Sequence, residues 1–352
     1  MGSFRLTNLN PVEFYSLFAI ITGLCILIVL FTVKRKPVTG ALVSRPKDSS
    51  PAAKEWLARA LGGLWVLDGL LQTQPAMITR FVGGLLAPLA PGQPWPLNLL
   101  IKEGMSLWSL SPVLWNEFAA WIQLGIGLGI LFGRHNGYRR ISLWVAIVWG
   151  ISVWIVGEAL GNIFVNGSWL SGSPGSALIY TWAAILLLAS DDFWRSTYVV
   201  NTFRWGFAGL WFLAALLQAL PSSGWWGLQL PTYVWGMALM PQPAIISGPL
   251  YAWAHALRAA PLLWNGALVA SFTLEGILWS IYPHSRLTWW LTTVITFGTW
   301  WLGQDFGVLG GMGTDPNSGA IVLGTLICYA RLVPIGVFAT ARDSQSLTTS
   351  AG

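Results

Sequence analysis

Charged residues are scarce in this chain: Asp, Glu, Lys and Arg make up 9% of its 352 residues. Soluble domains carry about 25% charged residues, so this deficit argues against a soluble fold. The roughly 10-residue alternating segments of a transmembrane β-barrel are also missing. Instead, charge-free runs such as residues 14–33 are long enough to cross a hydrocarbon core of about 30 Å. Because lipid offers backbone groups no hydrogen-bond partners, such segments must be helices.

Cysteine and histidine are scarce as well, with two and three residues. Cys25 and Cys328 lie in different predicted helices, so neither a disulfide framework nor a metal–thiolate site is expected. A haem-binding bundle needs paired histidines inside helices, whereas all three here fall in or near predicted loops: His135, His255 and His284. No Walker A loop, Rossmann fingerprint, zinc spacing or nucleophile elbow is present. We therefore predict no metal site and no intrinsic haem.

The apolar segments predict an all-α, polytopic transmembrane bundle of about nine spans. The first segment is followed by Lys34, Arg35 and Lys36, so we expect a retained anchor rather than a cleaved signal. Threading the chain puts most other basic residues on the same side as this cluster, which the positive-inside rule assigns to the cytoplasm. The predicted location is the cytoplasmic membrane of a prokaryote, with the N-terminus outside and the C-terminus cytoplasmic. The remaining spans are 59–77, 112–132, 141–161, 177–190, 203–220, 259–281, 287–303 and 320–338.

The basic residues behind the net charge of +6 lie in short loops between the predicted spans. Such residues orient a chain in the membrane, so membrane lipid is the expected partner and nucleic acid is not. Two long connections, 78–110 and 221–258, mix apolar residues with prolines and tryptophans. Since tryptophan prefers the headgroup level, we predict that these connections are interfacial or re-entrant segments at the outer face.

The chain also repeats itself. Residues 63–75 match 209–221, residues 112–116 match 261–265, and residues 154–161 match 300–307, in the same order. Each copy holds four predicted spans, an even number, so both copies enter the membrane from the same side as a parallel repeat. The predicted organisation is an anchor (1–36), a cytoplasmic linker (37–58), a first four-helix repeat (59–195), a second repeat (196–340) and a cytoplasmic tail (341–352).

The first copy resembles a known family. Residues 59–70 (RALGGLWVLDGL) resemble the opening helix of the DoxX family, and residues 123–134 (QLGIGLGILFGR) resemble its glycine-rich second helix. The family is a four-helix membrane unit, and its better-known members include a subunit of thiosulfate:quinone oxidoreductase. The resemblance implies respiratory or redox chemistry, with a quinone as the ligand. Asp68 and Gln72 stand where a histidine and a lysine often occur in the family's first helix.

Ionisable groups inside spans cost about 2.5–3.5 kcal/mol each and are candidate functional groups. Asp68 is predicted about 13.5 Å along its helix from Arg59, near mid-membrane, and Glu158 one turn from the outer end of its helix. We interpret Asp68 and Glu158 as catalytic acids that exchange protons in an outer-face cleft. The alternative is that they stay protonated and join helices by hydrogen bonds. The residues predicted to bind the ligand are Gln72, Gln123, Asn162, Glu275, Gln304 and Asp305.

Three features have more local interpretations. The spacing of Gly125, Gly127 and Gly129 predicts close helix packing. Residues 314–317 (TDPN) predict a cap for the last helix, with Asp315 or Asn317 as acceptor. Residue Arg331 is either a counter-charge for one of the acids or a side chain that snorkels to the interface.

The sequence is compatible with three functions. The leading one is a membrane subunit associated with respiratory or redox chemistry that holds a quinone or lipid-like ligand. If it is an enzyme, it is a quinone-linked oxidoreductase subunit without its own identifiable redox centre. The second is a transporter or channel for a small solute, and the third a structural or assembly subunit, with other subunits or a second copy as partner.

Overall fold

The computed structural model describes residues 49–133, 137–307, 313–333 and 335. These residues form helices and turns without any strand, so the predicted all-α class is confirmed for the described chain. The anchor, most of the linker and the tail lie outside it. The α-helices are α1 Ser49–Gln72, α2 Pro75–Thr79, α3 Trp95–Leu110, α4 Pro112–Phe132, α5 Tyr138–Ser152, α6 Ser176–Leu188, α7 Asp191–Arg195, α8 Thr197–Ala219, α9 Gln229–Ala238, α10 Ala244–Ala259, α11 Pro261–Ile281, α12 Arg286–Leu302 and α13 Asn317–Leu332.

Within the described residues, four helical segments are long and apolar enough to cross a membrane. They are α4, α5 with the π-helical turn that extends it to Gly157, α8 and α11. Large apolar side chains on these helices face outward, for example Trp121, which is 73% exposed. Such surfaces need an apolar solvent, because soluble monomers rarely expose large contiguous apolar patches. The chain is therefore a membrane protein.

Each of the eight spans predicted between residues 59 and 338 overlaps an α-helix of the structure, namely α1, α4, α5, α6, α8, α11, α12 or α13. The helix α4 has the predicted bounds, whereas α1 begins at Ser49, within the predicted linker. Charged residues in its first turns hid this start from a search for apolar runs. They are paired in the fold: Lys54 Nζ lies 2.8 Å from Asp191 Oδ1, and Arg139 Nη1 lies 3.1 Å from Glu55 Oε2.

Another difference concerns the span predicted to end at Gly161. The helical stretch ends at Gly157, because Ala159 and Leu160 adopt left-handed φ values of 49° and 56°, which a right-handed helix excludes. Glu158 consequently lies in a turn rather than inside a helix. The two long connections, predicted to be interfacial, are themselves largely helical and contain α3, α9 and α10.

The helices pack most extensively in two pairs, α1 against α4 and α8 against α11. Helix α13 also lies against α1, α6 and α12, so the last helix joins both halves of the chain. A continuous apolar core runs through these contacts and includes the edge of Trp65 on Tyr180, 5.2 Å between ring centroids. This core positions the C-terminal end of α1 beside α6 and the turn before α13.

The α1–α4 contact depends on a glycine. A Cβ atom on Gly127 would lie 2.6 Å from the Val66 nitrogen and 2.7 Å from the Gly62 oxygen. We expect Gly127→Ala to separate the helices and to destabilise the fold by about 1–3 kcal/mol, as overpacking does. Gly125, on the same helix, has open space at its Cβ, so Gly125→Ala is the control. Thermal unfolding in detergent micelles measures both; equal melting temperatures would contradict the close contact.

Candidate functional site

A cavity of about 370 Å³ lies between the end of α1, the connection before α4, and helices α4 and α5. Most of its wall is apolar and much of that aromatic. The rings of Phe81 and Trp108 lie 4.3 Å apart, and Phe118 packs edge-on against Trp149 at 6.1 Å. The polar part of the wall consists of Gln72, Gln123, Ser152, Glu158, Thr314 and Asp315.

Gln72 reaches the cavity from the last position of α1. Its Nε2 donates to Asn116 Oδ1 at 2.8 Å, and Asn116 Nδ2 donates to the Gln72 carbonyl oxygen at 3.0 Å. This pair supplies a partner to a carbonyl that the helix end leaves unsatisfied, and it ties α1 to the first turn of α4. Gln218 and Asn265 make the same two hydrogen bonds between α8 and α11, at 2.5 and 3.2 Å.

Glu158 lies in the turn after the π-helical extension of α5 and caps another helix. Its Oε1 accepts from Ser176 Oγ at 2.6 Å and from the Ala177 N–H at 3.1 Å, at the start of α6. A helix N-terminus favours negative charge, but burial opposes it. Burial first, and the neighbouring carboxyl of Asp315 second, raise the pKa of Glu158 to about 7. Near neutral pH this side chain therefore populates both its protonated and its ionised form, as a group that exchanges protons requires.

Asp315 is the residue that the sequence analysis undervalued. It does cap the last helix, because its Oδ1 accepts from the Asn317 N–H at 2.6 Å. It also lines the cavity beside Glu158, and burial raises its pKa above the usual value. Asp68, 3% exposed, lies within electrostatic reach of Asp315, Glu158 and the Tyr180 hydroxyl. Three carboxyl groups thus share one interior region of the described chain.

Arg331, one of whose two predicted roles was to balance the charge of these acids, does not line the cavity. The Arg331 guanidinium lies over the Trp56 ring, 4.8 Å from its centroid, near the start of α1. Of the described residues that line the cavity, none is basic. The carboxyl groups of Glu158 and Asp315 therefore lie at the aromatic wall without a basic side chain among the described lining residues.

Four cavity-lining residues each bury a polar atom that has no hydrogen-bond partner among the described residues. Two of these atoms are donors, the indole nitrogens of Trp108 and Trp149. Two are acceptors, Gln123 Oε1 and Glu158 Oε2. A buried polar group left without a partner costs about 1–3 kcal/mol. These four atoms therefore favour a ligand that both accepts and donates hydrogen bonds.

The remaining predicted ligand-binding residues lie elsewhere and are engaged in packing. None of the four lines the cavity. Asn162 Oδ1 accepts from Gln93 Nε2 at 2.8 Å, and Glu275 Oε2 accepts from Thr292 Oγ1 at 2.6 Å. The Gln304 amide donates to the Trp169 carbonyl at 2.8 Å and accepts from the Gly319 N–H at 2.9 Å. Asp305 Oδ2 accepts from Gln242 Nε2 at 3.0 Å.

The fold thus brings Gln72, Gln123 and Glu158 together at one cavity, with Asp68 one helical turn from Gln72. Sequence reasoning missed Asp315 and Tyr180 as neighbours of these acids. It used tryptophan only as a marker of the headgroup level, so it did not single out Trp108 and Trp149 as lining residues. Nothing in local spacing marks these residues, because they come from four separate helices or turns.

Comparisons with known proteins add no identity: no family model matches the chain, and no match is found among the curated proteins or the solved structures. Within the described residues, no group of three or more His, Cys, Asp or Glu is arranged to hold a metal ion.

Proposed function

We propose that this membrane protein binds a quinone-type amphiphile in the cavity and exchanges protons with it through Glu158. One observation carries the proposal: unpartnered donors and acceptors are buried together in a wall that is otherwise apolar. Ligand pockets typically combine such a wall with a few convergent polar groups. A lipid-like ligand with the same headgroup chemistry is the closest alternative.

The wall fits both redox forms of a quinone. The oxidised form carries carbonyl oxygens, which accept hydrogen bonds, and Trp108 and Trp149 offer indole donors. The reduced form carries hydroxyls, which donate, and Gln123 Oε1 and Glu158 Oε2 are acceptors. When bound, such a group supplies two-electron redox chemistry. The chain's own part is to hold the ring, to exclude water and to take or give the proton at Glu158.

We further propose that electrons come from a partner, because the sequence predicts no redox centre in this chain. The protein then acts as the membrane subunit of a quinone-linked assembly, which agrees with its resemblance to the DoxX family. A transporter of a small solute is the second candidate, and the specific observation in its favour is the presence of two carboxyl groups, Glu158 and Asp315, with no basic side chain among the described lining residues.

We propose the tandem architecture on contacts that occur twice. Besides the two glutamine–asparagine pairs, Trp154 Nε1 donates to the Pro174 carbonyl at 2.7 Å and Trp300 Nε1 to the Pro316 carbonyl at 2.6 Å. The turns that follow share φ values of 49° and 56°, at residues 159–160 and 305–306. These equivalences support two four-helix units, and with the predicted anchor they support about nine spans.

The orientation is proposed from the charge distribution. The ion pairs of Lys54 and Glu55 lie at the start of α1, and the cavity lies at its other end. Under the positive-inside rule the first end is cytoplasmic, and the cavity opens toward the outer face of the cytoplasmic membrane.

The proposal is tested by removing one indole donor while keeping an aromatic side chain at the position. Trp149→Phe deletes a single hydrogen bond to an oxidised quinone, worth about 0.5–1.5 kcal/mol. The dissociation constant for decylubiquinone should rise about three- to tenfold, as measured by equilibrium dialysis with purified protein in detergent.

Trp253→Phe is the matched control, because Trp253 also has an unpartnered indole nitrogen but does not line the cavity. Its affinity for decylubiquinone should equal that of the wild type. Equal losses in both variants, or a wild-type protein that binds no decylubiquinone, would overturn the proposal.

A further inference from the structure

The cavity has an unusual charge environment for a buried site. Two carboxyl groups, Glu158 and Asp315, line it, and Asp68 lies close enough to act on both electrostatically. The described residues of the wall contribute no basic side chain. Buried charges are normally paired or neutralised, so without a positive group nearby these acids favour their protonated, neutral forms.

The rest of the wall is suited to a positive group that is also apolar. Five aromatic side chains line the cavity: Phe81, Trp108, Trp115, Phe118 and Trp149. Ring faces attract cations, tryptophan most strongly. In addition, Gln123 is 8% exposed and its Oε1 is an acceptor without a partner among the described residues. This amide oxygen is a second, uncharged attraction for a cation.

Other ligand classes fit less well. A carboxylate or phosphate headgroup would face Glu158 and Asp315 with like charge and without a compensating cation. A metal ion would need a tighter cluster of ligands than the described residues provide. A bulky organic cation, by contrast, can place its charge near the carboxyl groups and its rings against the aromatic wall.

We propose that the cavity binds a monovalent lipophilic cation, and that its entry displaces a proton from the Glu158–Asp315 pair. One cation enters, one carboxyl O–H bond breaks, and the proton leaves to water, so the net charge of the site is unchanged. This inference uses the same cavity as the quinone proposal but does not depend on redox chemistry. It describes the exchange on which a cation/proton antiporter would be built.

The exchange has a defined pH dependence. The titratable groups that act on Glu158 are Asp315 before α13, Asp68 of α1 and Tyr180 of α6, and none of them is basic. The pKa of Glu158 is raised to about 7. Below that pH a proton must leave for each cation bound, so affinity should fall about tenfold per pH unit from pH 7 to pH 5. Above it the affinity should level off.

The test uses N-methyl-4-phenylpyridinium as the cation and 4-methylbiphenyl as a neutral molecule of the same shape. Calorimetric titration of the purified protein in two buffers with different ionisation enthalpies, at pH 6, measures proton release directly. We expect about one proton released per cation bound, and none for the neutral probe. Tight binding of the neutral probe, or cation binding without proton release, would overturn the proposal.

Glu158→Gln is the decisive variant, and it is expected to fold. In the other half of the chain, the amide of Gln304 accepts the Gly319 N–H at the start of α13, so an amide can replace the carboxyl as a cap. The variant should bind the cation at least about tenfold more weakly at pH 8, and its affinity should depend less on pH, because only Asp315 of the pair remains to release a proton. The exposed carboxyl of Glu117 provides the control variant, Glu117→Gln. Unchanged cation binding in Glu158→Gln refutes the exchange.

Decylubiquinone binding in the same samples separates the two proposals. Quinone binding without cation binding sinks the exchange and leaves the quinone proposal standing. Cation binding without quinone binding does the reverse. Binding of neither probe removes the cavity as the functional site.

Discussion

Phenylalanine in place of Ala119 is expected to abolish binding of both decylubiquinone and N-methyl-4-phenylpyridinium. Ala119 is 2% exposed on α4 and forms part of the cavity wall. A phenyl ring at this position occupies the space that either ligand needs. The dissociation constants should rise by about a hundredfold or more, equivalent to about 2.7 kcal/mol. Equilibrium dialysis against the purified variant measures this loss.

The control fills a different crevice. Gly209 lines an apolar crevice of about 290 Å³ between α6, α8 and α13, and a Cβ atom there meets nothing within 4 Å. Gly209→Phe therefore adds similar bulk without touching the cavity, and ligand affinity should stay at the wild-type value. Overpacking can cost each variant about 1–3 kcal/mol, so melting temperatures are recorded for both. Loss of binding in Gly209→Phe, with Ala119→Phe unaffected, would place the ligand in the crevice instead.

The second large effect is on stability, and it comes from Glu158→Gln. The pKa of Glu158 is raised in the fold from 4.5 to about 7. The folded state therefore holds a proton that the unfolded state releases at lower pH. This contribution is fully present below about pH 4.5 and is lost as the pH rises through 7. Because the introduced amide cannot ionise, the free energy of unfolding of Glu158→Gln at pH 8 should exceed that of the wild type by up to about 3 kcal/mol.

At pH 5 the two proteins should unfold at nearly the same temperature, because a protonated carboxyl and an amide are both neutral. Asp315, whose pKa is also raised by burial, contributes in the same direction and remains in the variant. Some loss of stability with rising pH is therefore expected in both proteins. Thermal unfolding from pH 5 to pH 8 provides the measurement. A variant less stable than the wild type at pH 8 would show that Glu158 stabilises the fold as a charged cap.

Local sequence was a good guide wherever a local cause decides the structure. Helix α4 has its predicted bounds because a proline opens it, a predominantly apolar run fills it and Gly133 follows it. The likeness of Gln72–Asn116 to Gln218–Asn265 was visible in the sequence, and in the fold the two pairs make the same hydrogen bonds. Helix spacing also placed Gln72 one turn beyond Asp68.

The sequence was a poor guide wherever a turn changes direction. Glu158 was predicted inside a helix that ends at Gly161, but the left-handed residues Ala159 and Leu160 follow it directly and end the helix earlier. Asn162, predicted just beyond that helix, bonds to Gln93. Glu275 was grouped with the acids of the first half because it lies in the middle of a predicted span, and Asp305 because its segment repeats that of Glu158. In the fold they bond to Thr292 and Gln242, away from the cavity.

By itself, then, the sequence determined the helical membrane class and most helix positions, because hydropathy and helix-ending residues act over one turn or one span. Only the tertiary structure decided which acids meet. Asp68, Glu158 and Asp315 are up to 247 residues apart in the chain (315 minus 68). Packing of α13 against both α1 and α6 brings them together. Contacts across such separations depend on how whole helices pack, and no short-range pattern records them.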